Sequence, residues 1–180
     1  MELIDAFFDE QVKVIKPRVF SDDRGFFQES YNLKNFEKLG IKNNFIQDNH
    51  SFSKIKGTIR GLHFQTAPMA QAKVVRVTKG SALDVVVDIR PDSKTFGKYR
   101  TVELNENNHL QVMIPVGFAH GFCTLEDDTH FCYKVDEYYS GEHNAGILWN
   151  CPEINIEWPT ENPILSEQDL NWKKLSESQL

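Results

Sequence analysis

Between residues 73 and 135 the chain is a succession of short β-patterned runs separated by polar reversals. This periodicity limits the fold more than any other feature. Lys73-Val74-Val75-Arg76-Val77 reads as a strand ending at a turn, Lys79-Gly80. Residues 82–90 follow, with Leu83, Val85, Val87 and Ile89 alternating with Asp84, Val86, Asp88 and Arg90. That is the pattern of an antiparallel strand with one buried and one wet face. Residues 99–104 and 109–114 predict a hairpin around Asn105-Glu106-Asn107-Asn108, and residues 118–125 and 129–135 another around Asp127-Asp128. Short strands at even spacing with polar turns point to an all-β sandwich or barrel. With 180 residues the chain suffices for one domain that buries roughly 70% of its unfolded surface. It contains no repeat, linker or low-complexity tract.

The N-terminal third is more mixed. Residues 11–20 combine Val, Ile, Phe and Lys around Pro17 and read as an edge strand. Ser21-Asp22-Asp23-Arg24-Gly25 is a turn, since Asp and Gly suit its backbone angles. Residues 26–30 form a short strand with Phe27 and Glu29 on one face. Leu33, Phe36 and Leu39 recur at helical spacing over residues 32–39, with Gly40 at the C-terminal cap. In residues 45–51, Gln47, Asn49 and Ser51 occupy alternate positions. They are either a solvated strand face or a row of hydrogen-bonding groups aimed into a pocket. The C-terminal tail, residues 150–180, is irregular, with Pro152, Pro159 and Pro163. A last helix is expected to start at Ser166 and include Leu170 and Leu175.

One stretch carries unusual chemistry: Gly57-Thr58-Ile59-Arg60-Gly61-Leu62-His63-Phe64-Gln65. It reads as a strand, yet places Arg60, His63 and Gln65 where a structural strand would carry Val or Thr. Glycine inside a strand marks a bulge or a close backbone approach. A bulge at Gly61 would bring Arg60 and His63 to the same side, which strict alternation forbids. By itself this stretch is equally a hydrogen-bonded core histidine beside an edge arginine.

Composition sets the remaining bounds. Hydrophobic residues make up 40% and charged residues 26%, ordinary for a soluble globular protein. The net charge of −6 argues against nucleic acid as the partner, and an anionic ligand would need a local basic pocket. The N-terminus is acidic and lacks the basic start and apolar run of a signal peptide. No apolar run is long enough to span a membrane. Three cysteines without CxxC spacing fit a reduced, cytoplasmic compartment.

Pro115-Val116-Gly117-Phe118-Ala119-His120 matches P-x-G-x-x-H, the core of the second cupin motif. The first cupin motif supplies two His and a Glu to a metal. Here His63 stands alone, Gln65 occupies the second position, and Gln substitutes poorly for imidazole at a transition metal. A metal-free barrel is therefore expected, its histidines available for proton transfer.

Further segments complete a resemblance. Arg24-Gly25-Phe26-Phe27, Gln47-Asp48-Asn49, Arg60-Gly61-Leu62-His63, Gln71-Ala72-Lys73-Val74-Val75-Arg76, residues 84–90 and 115–122, Tyr133-Lys134, Tyr138-Tyr139, Gly146-Ile147-Leu148-Trp149 and Leu165-Ser166-Glu167-Gln168-Asp169 are similar to the dTDP-4-dehydrorhamnose 3,5-epimerases. The match covers residues 15–170. It implies a cupin-type jelly-roll β-barrel with a few short peripheral helices, forming a homodimer without a cofactor. The implied substrate is dTDP-4-dehydro-6-deoxy-D-glucose, a dTDP-4-keto-6-deoxy sugar, inverted at the carbons flanking its ketone. The resemblance makes His63 the base, Asp169 its acidic partner, Lys73 the cation at the ketone oxygen and Tyr133 the acid on the opposite face. It assigns Arg60 to the diphosphate, and Gln47, Asn49, His120 and Tyr139 to the rest of the substrate. Arg24, Phe27 and Glu29 would come from the partner subunit, with residues 1–55 contributing to the dimer.

Each residue also has an ordinary alternative. Asp169 lies three residues after Ser166 and could complete a capping box. Tyr133 shares a face with Phe131 and Val135, as a core residue would. Lys73 could sit at a rim, and His120 could be a buried structural histidine. Ser140-Gly141-Glu142, Leu148 and Asn150 depart from the family pattern near Tyr139. Three other activities remain: a single-carbon epimerase or ketoisomerase, a non-catalytic sugar-binding jelly roll, and a metal-dependent cupin oxygenase.

Overall fold

The computed structural model describes residues 1–178 and 180. Its strands are β1 (Glu2–Phe7), β2 (Val12–Lys16), β3 (Val19–Asp22), β4 (Gly25–Gln28), β5 (Gln47–Ser53), β6 (Ile59–Gln65) and β7 (Lys73–Lys79). They continue with β8 (Ser81–Asp88), β9 (Tyr99–Asn105), β10 (Gln111–Ile114), β11 (Phe118–Thr124), β12 (Thr129–Val135) and β13 (Asn144–Gly146). Six strands form one sheet in the order β1-β2-β10-β7-β12-β5, five form a second in the order β13-β6-β11-β8-β9, and β3 and β4 make a separate hairpin. The two larger sheets face each other as a jelly roll. Two short helices, α1 (Leu33–Lys38) and α2 (Glu167–Leu170), and a 3₁₀ turn at Leu175–Glu177 lie outside them.

The inner faces of both sheets meet in a core that includes Val14, Val75, Val86, Val112, Phe122 and Phe131. The outside of the five-stranded sheet is also covered. Ile147, Cys151, Ile154 and Leu175 pack over Leu62, Phe64, Val85, Val87 and Ile89. On the six-stranded sheet, Phe36 of α1 and Ile41 cover Val74 and Met113. Asn32 caps α1 by accepting a hydrogen bond from the Asn35 backbone at 3.3 Å, as the Asn side chain favours.

Four expectations are corrected. Residues 99–114 and 118–135 are not hairpins: β9 pairs with β8 whereas β10 pairs with β2 and β7, and β11 pairs with β6 and β8 whereas β12 pairs with β5 and β7. The polar turns are corners where the chain crosses from one sheet to the other. A turn sequence sets the reversal but does not select the sheet that receives the next strand. Residues 82–90 are not half-exposed, because the tail buries the outer face of β8. Its other face, carrying fully buried Asp84 and Asp88, points into the sandwich. Residues 11–20 comprise two strands broken at Pro17, and β2 is interior to its sheet because β1 pairs along it. The last helix is only one turn: α2 ends at Leu170 with Asn171 as its C-cap, and Leu175 belongs to a separate 3₁₀ turn.

Among the described residues, no helix is long and apolar enough to cross a membrane. The three cysteines are free thiols.

Candidate functional site

Between the two sheets a cavity of about 340 Å³ opens. The five-stranded sheet lines it with Arg60, His63, His120 and Phe122, and the six-stranded sheet with Ser51, Lys73, Phe131 and Tyr133. Ser166, Gln168 and Asp169 from the tail complete the wall.

Gly61 places two of these side chains. From His120 to Phe122 the register advances two residues on β11, but three on β6, from His63 to Arg60. The extra residue turns Leu62 and Phe64 outward into the tail-covered cluster and leaves Arg60 and His63 both facing the cavity. Gly61 has φ +133°, and a Cβ there would lie 2.6 Å from the Gly121 Cα. Only glycine fits.

His63 Nε2 lies 2.5 Å from Asp169 Oδ1. The imidazole is one-third exposed, at 33%, toward the cavity, whereas the carboxylate is buried at 4%. The Asp169 backbone N–H donates to Ser166 Oγ at 3.1 Å. Ser166 is thus the N-cap of α2, and Asp169, three residues on, turns its carboxylate to the imidazole. Burial works against its charge. Hydrogen bonds from His63, Ser166 and Trp172, with the charge of His63, outweigh burial and hold the carboxyl below its usual range. A second pair lies deeper: His120 Nε2 is 2.6 Å from the buried Asp84 Oδ1.

Lys73 begins β7, and its ammonium lies 3.5 Å from the His63 carbonyl. Burial lowers its pKa from 10.5 to about 8, against the raising influence of Asp84. It remains mostly protonated at neutral pH but is a stronger acid than an exposed lysine, so it donates readily to a developing oxyanion. Burial raises the Tyr133 pKa while the Arg60 charge opposes this, so Tyr133 is held as the neutral phenol. His63 and Tyr133 project from opposing sheets.

At the rim, Arg60 donates from Nε to Ser53 Oγ at 3.2 Å and from Nη2 to the Phe52 carbonyl at 3.0 Å. Gln47, Asn49 and Ser51 occupy the half-buried positions of β5, while Asp48, His50 and Phe52 are exposed. The alternating polar row is thus the inward face. Gln47 donates to Asn49 at 2.9 Å and accepts from the backbone of the exposed Tyr139 at 3.3 Å. Asn49 lies opposite Tyr133 in the sheet register. Gln65 is engaged elsewhere: it donates to the Met69 and Tyr138 carbonyls and accepts from the Ser140 backbone. Among the described residues, no group of three or more His, Cys, Asp or Glu is placed to hold a metal ion.

Arg24, Phe27 and Glu29 do not line this cavity. Arg24 and Phe27 lie on the exposed β3–β4 hairpin, where Arg24 pairs with Asp22, and Glu29 accepts from Asn32 and Asn35. Sequence reasoning missed Asp84, Ser166 and Gln168 as site residues. A signal existed for Asp84: it stands between Ala82 and Val86 on one face of its strand, a position costly for a charge without a partner.

The profile of the dTDP-4-dehydrorhamnose 3,5-epimerases matches residues 10–177. The chain belongs to this family. The Shigella flexneri dTDP-4-dehydrorhamnose 3,5-epimerase is 52% identical over 164 residues, covering 91% of this chain and 90% of that protein. The crystal structure of the Bacillus anthracis enzyme, with TDP and PPi bound, superposes with a TM-score of 0.94 at 51% identity, covering 96% of this chain and 98% of that one. The Legionella pneumophila family member, in complex with dTDP-4-keto-L-rhamnose, gives a TM-score of 0.90 at 43% identity, covering 93% and 89%. Family membership accounts for the jelly roll.

Proposed function

We infer that this chain epimerises dTDP-4-dehydro-6-deoxy-D-glucose at C3 and C5, giving dTDP-4-dehydro-L-rhamnose, and that residues 1–180 act as one jelly-roll domain. The observation that carries this reading is the opposition across one cavity of the His63–Asp169 pair and Tyr133, with Lys73 beside them.

A hydrogen next to a ketone can be removed only if the enolate is stabilised as it forms. His63 takes the C–H proton, the electron pair moves onto the ketone oxygen, and Lys73 donates to that oxygen. Asp169 fixes the imidazole and stabilises its protonated form. Tyr133 delivers a proton to the opposite face of the same carbon, the ketone re-forms, and the configuration is inverted. Exchange with water then returns the proton from His63 to solvent and restores the phenol. The same sequence at the second carbon completes the reaction. No step requires a metal or redox cofactor.

Arg60 matches the diphosphate, because a guanidinium fork fits phosphate oxygens. Gln47, Asn49, His120 and Tyr139 bind the remainder of the substrate. The functional unit is a homodimer in which Arg24, Phe27 and Glu29 of one subunit complete the other's site. Their distance from their own cavity supports this, as does the exposure of Phe20, Phe26 and Phe27 on the hairpin. Sedimentation of a dimer is the expected result.

Incubation with the dTDP-keto sugar in D₂O is expected to place deuterium at both C3 and C5, read by NMR. Exchange at neither carbon refutes the reading, and exchange at one makes the protein a single-carbon epimerase. His63→Ala should lower turnover by roughly 10²–10⁴-fold without loss of the β-sheet spectrum. Near-normal turnover would rule out His63 as the base.

A further inference from the structure

Trp172 lies outside the catalytic cavity, but its indole touches the pair that works there. Its Nε1–H donates to Asp169 Oδ1 at 3.4 Å, the same oxygen that holds His63. Its ring stands edge-on to the His63 imidazole, with centroids 6.3 Å apart at 69°. On its other side the indole lines a separate concavity of about 380 Å³, bounded by Phe64, His143, Asn144 and Lys173. Trp172 is therefore the partition between the His63–Asp169 pair and that second concavity.

The fold makes room for this partition. Gly146 lies directly opposite His63 in the β13–β6 register, and a Cβ on it would come within 2.5 Å of the indole. The absence of a side chain there is the slot that admits the ring. The segment carrying Asp169 and Trp172 is pinned at both ends by parallel bridges, Thr58 with Ile164 and Ile147 with Lys173. The indole N–H is a donor only, and its direction is set by a rigid, packed ring. It holds Oδ1 at one position, and Oδ1 orients the imidazole.

We propose that Trp172 is a positioning residue for the epimerisation: it locks the Asp169 carboxylate by hydrogen bonding and closes the back of the His63–Asp169 pair to water. This rests on the reading of His63 as the base. Excluding water behind the pair strengthens the attraction between carboxylate and imidazolium as the proton is taken. The lowering of the Asp169 pKa by the Trp172 hydrogen bond agrees with this role.

The test compares kcat and KM for the wild-type chain, Trp172→Phe and Trp172→Ala. Trp172→Phe keeps the wall and removes the donor. The Asp169 carboxylate then loses one of the hydrogen bonds that fix it, and kcat falls by roughly two- to tenfold with KM unchanged. Trp172→Ala opens the wall as well, lowering kcat on the order of tenfold with KM within about twofold. This is less than the hundredfold that an ångström of misplacement costs. If Trp172→Ala does not fold, Trp172→Phe carries the test alone. A folded Trp172→Phe with wild-type kcat overturns the proposal, as does a Trp172→Ala defect confined to KM. Wild-type protein that exchanges no deuterium would instead overturn the proposed function, so the two failures are distinguishable.

Discussion

Replacing Lys73 with Met is expected to abolish most turnover and at the same time stabilise the fold. Burial depresses the Lys73 pKa from 10.5 to about 8 even with Asp84 nearby. Holding the charged amine in the folded state therefore costs roughly 3 kcal/mol at neutral pH, at 1.36 kcal/mol per pKa unit. The side chain keeps some contact with cavity water, which screens part of that cost, so about 1–2 kcal/mol is the working expectation. Methionine fills the space of the lysine stem and leaves no void. Below pH 8 both folded and unfolded lysine are protonated and the penalty is complete. Between about 8 and 10.5 the unfolded chain binds the extra proton, so wild-type stability rises with pH. Above 10.5 the difference between the two proteins due to this charge vanishes. The assay is urea and thermal unfolding of both proteins at one protein concentration, from pH 7 to pH 10.5, beside turnover of the dTDP-keto sugar. Near neutral pH the variant should melt roughly 2–8 °C higher, with activity reduced about 10²–10³-fold for loss of an oxyanion donor. A variant no more stable than wild type at pH 7, or a stability difference that stays flat to pH 10.5, would refute the argument that the site holds its cation against solvation.

Two further substitutions test the scaffold. Gly61→Ala combines a φ of +133° with a Cβ 2.6 Å from the Gly121 Cα; it should destabilise by roughly 2 kcal/mol or more and misplace Arg60 and His63, read as a lower Tm together with a lower kcat. Asp88→Asn should flatten the acid limb of the stability curve. Burial would raise the Asp88 carboxyl, but hydrogen bonds from Arg90, Ser93 and Thr95 hold it well below the usual range. The stability it adds is present above about pH 4 and is lost as pH falls below that, a loss the Asn variant should not show in acid unfolding.

Much of the chemistry was legible in the sequence because it rests on residue types that a plain β core does not tolerate. Arg60, His63 and His120 stand in segments otherwise made of strand formers, and Gly61 between them announced the bulge. The polar row of β5 was visible as a period of two, although the pattern did not say whether that face was inward. The same ambiguity misled the reading of β8: Asp84 and Asp88 looked like a wet face, whereas they point into the sandwich and the tail buries the other face as well.

By itself the sequence determined the β periodicity, the positions of the reversals, the bulge at Gly61 and the polar and ionisable residues set among strand formers. These depend on local backbone preference and side-chain chemistry. Only the tertiary structure decided which sheet each strand joined, which face of β8 was buried, and that a one-turn helix would bring Asp169 across 106 residues of chain to His63. Those outcomes depend on packing between distant segments. The tail buries the outside of the five-stranded sheet because Leu62, Phe64 and Val85 leave an apolar surface there, and in covering it delivers Asp169 and Trp172 to His63.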